Sequence, residues 1–120
     1  MLNVSVEKIG DLAMVQCEGR IVQSKAAFKL REAVTLLGGS RVVVLDLSEV
    51  PAVEGGGLGM LMFLQRWAHD HNIRFKLFNP SKSVRARLEQ ASSLFEFDIP
   101  TLDEMMALLG LADSGYALAG

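Results

Sequence analysis

The residues best suited to carry chemistry fall at three places in this chain of 120 residues. The first is Glu54-Gly55-Gly56-Gly57-Leu58-Gly59, which holds four of the 11 glycines. Consecutive glycines permit φ > 0 and a close approach of backbone to a neighbour, and a following helix offers N–H groups to an anion. The spacing fits neither of the common phosphate loops. G-x-G-x-x-G needs a glycine where Met60 stands, and a Walker A loop needs a lysine that this stretch lacks. A tight turn that seats a helix on a sheet is the simpler reading; a site for a small anion or nucleotide is the competing one.

The second place is His69-Asp70-His71. Two residues apart on a helix point about 200° apart, so the imidazoles do not converge on a metal. Histidines near a helix end also complement its dipole without forming a site. The third is Cys17, mid-strand with no base beside it in sequence, which reads as a buried structural thiol. No paired carboxylates, Ser-His-Asp arrangement or G-x-S-x-G is present. The expectation is a non-enzymatic protein with no catalytic residue, no metal ligand and no cofactor.

The helix after the glycines says more. Leu58, Leu61, Leu64 and Ala68 form one apolar stripe, suited to a core. Met60, Phe63 and Trp67 form a second on another side. A surface helix needs one apolar face, so a second is either wider core contact or a docking face for a protein partner or a second copy of the chain. Lys82, Arg85 and Arg87 read as a solvated face that would flank such a contact.

These residues need a scaffold, and composition says which kind. Fourteen acids against 12 bases leave a net charge of −2, and half the residues are hydrophobic. That balance argues against a protein bound to nucleic-acid phosphates and against a disordered chain. A chain of this length buries roughly 60–70% of its unfolded surface, enough for one domain without staples. The single cysteine cannot form an internal disulfide. No signal-like start and no apolar run near ~20 residues is present, so a cytoplasmic protein with no membrane insertion is expected.

Periodicity supplies the elements. Leu2, Val4 and Val6 alternate with polar residues, Gly10-Asp11 turns the chain, and Ala13, Val15 and Cys17 share a face of the next strand: a hairpin. From about Ser24, Ala27, Leu30, Val34 and Leu37 recur at helical spacing, stopped by Gly38-Gly39. Residues 42–45 are apolar without alternation, the mark of a central strand covered on both faces. After the glycines a helix runs to about His71, and residues 73–78 form another buried strand. Ser81 caps a helix carrying Val84 and Leu88. A short extended piece is expected over Phe95–Ile99. Thr101 and Glu104 then open a final helix, with Leu102, Met105, Met106 and Leu109 inward and Gly110 as its stop. The expected fold is α/β: a single domain over residues 1–110, with a mixed, largely parallel sheet of about five strands against about four helices. Residues 111–120 are expected to form a loose tail.

The run from Val42 to Leu64, with Asp46-Leu47-Ser48 and Gly57-Leu58-Gly59, followed by Asn79-Pro80-Ser81 and a helix ending before Leu94-Phe95, resembles the STAS domain family of anti-sigma factor antagonists. Gly19-Arg20-Ile21 after the second strand fits as well. The resemblance covers roughly residues 3–110. It implies a mixed sheet beside helices and a partner kinase that doubles as an anti-sigma factor. It also implies a switch in which that kinase phosphorylates a Ser or Thr of an Asp-Ser-Ser/Thr-Gly-Leu-Gly loop, placing about −1.5 to −2 charge on the contact surface. Here Glu54 stands for the Asp, and Gly55 and Gly56 stand where the family has its hydroxyls, so the phosphoacceptor role passes to no residue. Val22 stands where the family often has an Asp. The reading that results is a regulatory binding module. It would dock a kinase or anti-sigma-like regulator through Glu54, Gly55, Gly56 and Gly57 and through Met60, Phe63 and Trp67, unswitched at the usual loop. The alternatives are a STAS-type accessory subunit of a transporter or signalling assembly, and a small-ligand domain built on the glycine turn.

Overall fold

A computed structural model describes residues 2–22, 25–91 and 97–119. Its elements run β1 (Asn3–Ile9), β2 (Leu12–Glu18), α1 (Lys25–Thr35), β3 (Val42–Glu49), α2 (Gly56–Asp70), β4 (Arg74–Phe78), α3 (Lys82–Ala91) and α4 (Leu102–Ala119). The strands lie side by side in the order β1-β2-β3-β4. β1 and β2 are antiparallel about the Gly10-Asp11 turn, with Ile9 opposite Leu12, and Gly10 has φ 59°. β2/β3 and β3/β4 are parallel, so the sheet is mixed and largely parallel.

Alternation along the strands divides the core in two. Ala13, Val15, Cys17, Val43, Leu45, Leu47, Phe75 and Leu77 pack with Leu30, Val34 and Leu37 of α1, Leu61, Leu64 and Ala68 of α2, and Val84 and Leu88 of α3. Leu12 and Val44 point the other way and pack with Met105 of α4, joined by Met14, Val42, Phe78, Leu108 and Leu109. Three helices therefore cover one face and α4 the other, which is why residues 42–45 show no alternation.

The caps read from sequence are formed. Ser81 Oγ accepts from the N–H of Val84 at 3.3 Å. Thr101 Oγ1 accepts from the Glu104 N–H at 3.1 Å, while Glu104 accepts from the Thr101 N–H at 3.0 Å. These bonds hold the Glu104 carboxyl below the usual carboxylate range, the Thr101 backbone N–H contributing most.

Three expectations are corrected. The described residues form four strands, not five. Asp98 makes a single parallel bridge to Lys76, its carbonyl accepting from the Leu77 N–H at 2.8 Å, and Pro100, without an N–H, cannot extend the pairing. Residues 95 and 96 of that piece lie outside the described residues, as does Ser24. Helix α4 does not stop at Gly110 but continues to Ala119, because Gly110 keeps a negative φ and takes no left-handed turn. The inward stripe of α4 is Met105, Leu108 and Leu109; Leu102 and Met106 face solvent.

Candidate functional site

The site begins where β3 leaves the sheet. Near the end of β3, Asp46 accepts from both the N–H and the hydroxyl of Ser48, at 2.9 and 2.6 Å, which ties down the Asp46-Leu47-Ser48 step. Beyond Pro51 the chain runs alongside residues 19–21. Ile21 N–H donates to Ala52 O at 2.9 Å, Glu54 N–H donates to Ile21 O at 3.1 Å, and Ile21 bridges Val53 in parallel. Arg20 reaches Glu54 at 3.1 Å. Both side chains are more than half exposed, so the pair orients the loop more than it stabilises it.

The glycines then do different jobs. Gly55 turns the chain into α2 with φ 50° and ψ −119°, a conformation that L side chains rarely adopt, and no side chain caps the helix. Gly57 is pressed onto residue 21: a Cβ there would lie 2.0 Å from the Ile21 carbonyl oxygen and 2.5 Å from its carbon. Gly59 faces open space. The N–H of Gly57 donates to Glu54 O, and those of Leu58 and Gly59 to Gly55 O, so the first turn's donors are largely engaged within the loop. That weakens the anion reading. A depression of about 250 Å³ beside the loop is lined by Ala52, Val53, Glu54, Ser83 and Arg87. It brings α3 to the site; sequence spacing alone could not pair residue 54 with residues 83 and 87.

The second stripe of α2 divides. Met60 and Trp67 are partly buried against the core, and the Trp67 ring stacks on His71 with centroids 4.5 Å apart. Phe63 remains 40% exposed, and Phe28 of α1 is 50% exposed. Arg31 of α1 lies over both rings, 4.5 Å from the Phe63 centroid and 5.4 Å from that of Phe28. Among the described residues it has no carboxylate partner. A guanidinium stacked on aromatic faces is held in place while its edges keep their hydrogen-bond donors. The exposed patch is thus Phe28, Arg31 and Phe63. Phe28 and Arg31 escaped the sequence reading because they belong to another helix, and their i, i+3 spacing on α1 was the one available signal.

The other candidates separate. His69 is exposed, and His71 is tied to Trp67 O at 2.7 Å, so the two rings share no site. Among the described residues no group of His, Cys, Asp and Glu is placed to hold a metal. Cys17 is buried, and desolvation, with Asp46 nearby, pushes its thiol up to about 12, far from a reactive thiolate. No helix among the described residues is long and apolar enough to cross a membrane.

Comparison with known proteins adds to this geometry. The model of the STAS domain matches residues 3–105. No curated protein matches the chain. Among solved structures it is similar to an anti-sigma factor antagonist from Mycobacterium paratuberculosis, with TM-score 0.75 and 20% identity over 91% of this chain and 94% of that one. The unphosphorylated anti-sigma factor antagonist SpoIIAA gives TM-score 0.71 at 15% identity, covering 87% and 93% of the two chains. A serine-to-glutamate variant of Moorella thermoacetica RsbS gives 0.68 at 22%, covering 89% and 94%. At such identities these likenesses speak for the fold.

Proposed function

The chain belongs to the STAS domain family, and from that premise we propose that it is a non-enzymatic regulatory module that docks a kinase or anti-sigma-like protein without phosphorylation at the usual loop. The contact surface is the 54–59 loop, presenting Glu54, Gly55 and Gly56 over the seated Gly57, continued by Phe63 on α2, with Met60 and Trp67 packed behind it as support. Phe28 and Arg31 of α1 and Arg87 of α3 extend it. Arginine and aromatic side chains are the types enriched at such interfaces.

One observation carries the reading. The loop keeps a tightly seated geometry, Gly57 against Ile21, while both of its hydroxyl-bearing family positions are glycine. A phosphate at this helix start would block docking by charge and bulk without unfolding anything. With Gly55 and Gly56 in place, docking is set by partner concentration and affinity alone.

The test is capture of protein partners from the source cell on the tagged chain, with and without ATP, followed by phosphopeptide mapping. The expected result is a regulator retained equally under both conditions and lost with Gly56→Asp. Stoichiometric phosphate on Ser48, Ser81 or Ser83 that releases the partner would overturn the unswitched reading. Copurification of a permease or transport ATPase instead would assign the module to a transport assembly.

A further inference from the structure

A second concavity lies at the opposite end of the sheet. A cleft of about 690 Å³ opens between the starts of the parallel strands and α4, lined by Asp11, Leu12, Arg41, Val42, Asn72, Arg74 and Leu108. Its volume falls in the range of small-molecule sites, about 300–1,000 Å³. The depression beside the glycine loop is smaller, about 250 Å³. Val42 on β3 separates the two by the length of that strand, seven residue steps or about 23 Å.

The lining has two parts. Leu12, Val42 and Leu108 belong to the apolar cluster under α4 and form the wall and floor. Arg41, just before β3, and Arg74, the first residue of β4, line the cleft side by side, their backbones joined by a hydrogen bond from the Arg74 N–H to Arg41 O at 2.9 Å. Arg41 has one loose partner, Asp11 at 3.6 Å, with both side chains largely exposed. Arg74 has no ion pair among the described residues. Two guanidiniums against one carboxylate leave one positive charge beside an apolar surface. Two neighbouring guanidiniums suit a carboxylate or phosphate, whose oxygens accept their donors.

We propose that this cleft binds a monoanionic amphiphile, an alkyl or acyl carboxylate or phosphate. Its head would sit on Arg41 and Arg74 and its chain against Leu12, Val42 and Leu108. Bound there, the chain would bridge α4 to the sheet and strengthen the attachment of that helix.

The test uses the full chain, titrated with decanoate and decyl phosphate below their micelle concentrations and followed by amide chemical shifts and calorimetry. Decanol, inorganic phosphate, and phosphatidylglycerol or phosphatidylcholine vesicles are the comparison arms. The expected result is one saturable site with shifts centred on Leu12, Val42, Asn72, Arg74 and Leu108. Arg74→Gln and Arg41→Gln, both surface changes, should each weaken it about five- to tenfold, the loss of one charge-assisted contact. Leu108→Ser should weaken it too, and retained helix content by circular dichroism shows that α4 still forms. Decanol binding as tightly as decanoate would overturn the proposal. So would inorganic phosphate matching decyl phosphate, or affinity untouched by both arginine changes. Association with phosphatidylglycerol vesicles without binding of free decanoate would replace the cleft by a membrane-facing surface and equally refute it.

Discussion

Gly57→Ala tests the seating of the loop most sharply. The added methyl would lie 2.0 Å from the Ile21 carbonyl oxygen, and ordinary contact begins at 3.4 Å, so the helix and the segment at Ile21 must separate by about 1.4 Å. Backbone cannot rotate aside as a flexible side chain does. Separation stretches the 3.1 Å bond from the Glu54 N–H to Ile21 O, worth about 1 kcal/mol, on top of an overpacking cost of about 1–3 kcal/mol. Alanine returns up to about 1 kcal/mol of helix propensity, leaving a net loss of about 1–3 kcal/mol. At about 4 °C per kcal/mol for a domain of this size, Tm should fall by about 4–12 °C. Gly59→Ala is the control. It lies in the same helix with nothing near its added methyl, so it should leave stability unchanged or raise it by up to about 1 kcal/mol. Urea and thermal unfolding followed by circular dichroism measure both. Equal stability of the two variants would refute the close approach, and with it the account of why the loop starts where it does.

Further outcomes follow from the same packing. Phe63→Ala and Arg31→Ala, on the exposed patch, should change stability by no more than about 1 kcal/mol while weakening partner capture. Trp67→Ala, against the core, should lose about 3 kcal/mol in urea unfolding, which separates docking from packing along one helix. Because burial raises the Cys17 thiol above its ordinary 9.0 to about 12, the unfolded chain ionises first. The stabilisation from that thiol is complete below pH 9 and is lost as pH rises towards 12, with a limiting slope of about 1.4 kcal/mol per pH unit. Cys17→Ala should flatten that alkaline slope in pH-dependent unfolding, and disulfide reagents should modify the thiol only after denaturation. Thr101→Ala should cost about 1 kcal/mol through the lost cap. The contribution of Glu104, whose carboxyl is held below 4.5, should fade as pH falls through that range, seen as fraying of α4 by hydrogen exchange.

Most of the scaffold was legible because each element has one dominant local signal. The Gly10-Asp11 turn, the unbroken Val42–Leu45 run and the Thr101/Glu104 box each specify structure within a few residues. What escaped depends on distant partners. Gly110 after an apolar stripe reads as a stop, but a glycine caps a helix by taking a left-handed turn, and here it does not. The fifth strand shrank to the Asp98 bridge because Pro100 cuts its pairing short. Leu102 and Met106 share the composition of a core stripe, yet the sheet meets α4 along Met105, Leu108 and Leu109. At the site, the glycine positions were plain in sequence, but the reason for Gly57 lies 36 residues upstream at Ile21. The exposed patch joins Phe63 to Phe28 and Arg31 across two helices, a pairing no periodicity encodes.

The measurement closest to the central claim is the affinity of the captured regulator for the purified chain, by calorimetry, with and without ATP. The proposed function requires one affinity in both conditions, reduced at least tenfold by Gly56→Asp and by Phe63→Ala. An affinity that collapses with ATP as phosphate appears on the chain, or one that neither substitution alters, would contradict it.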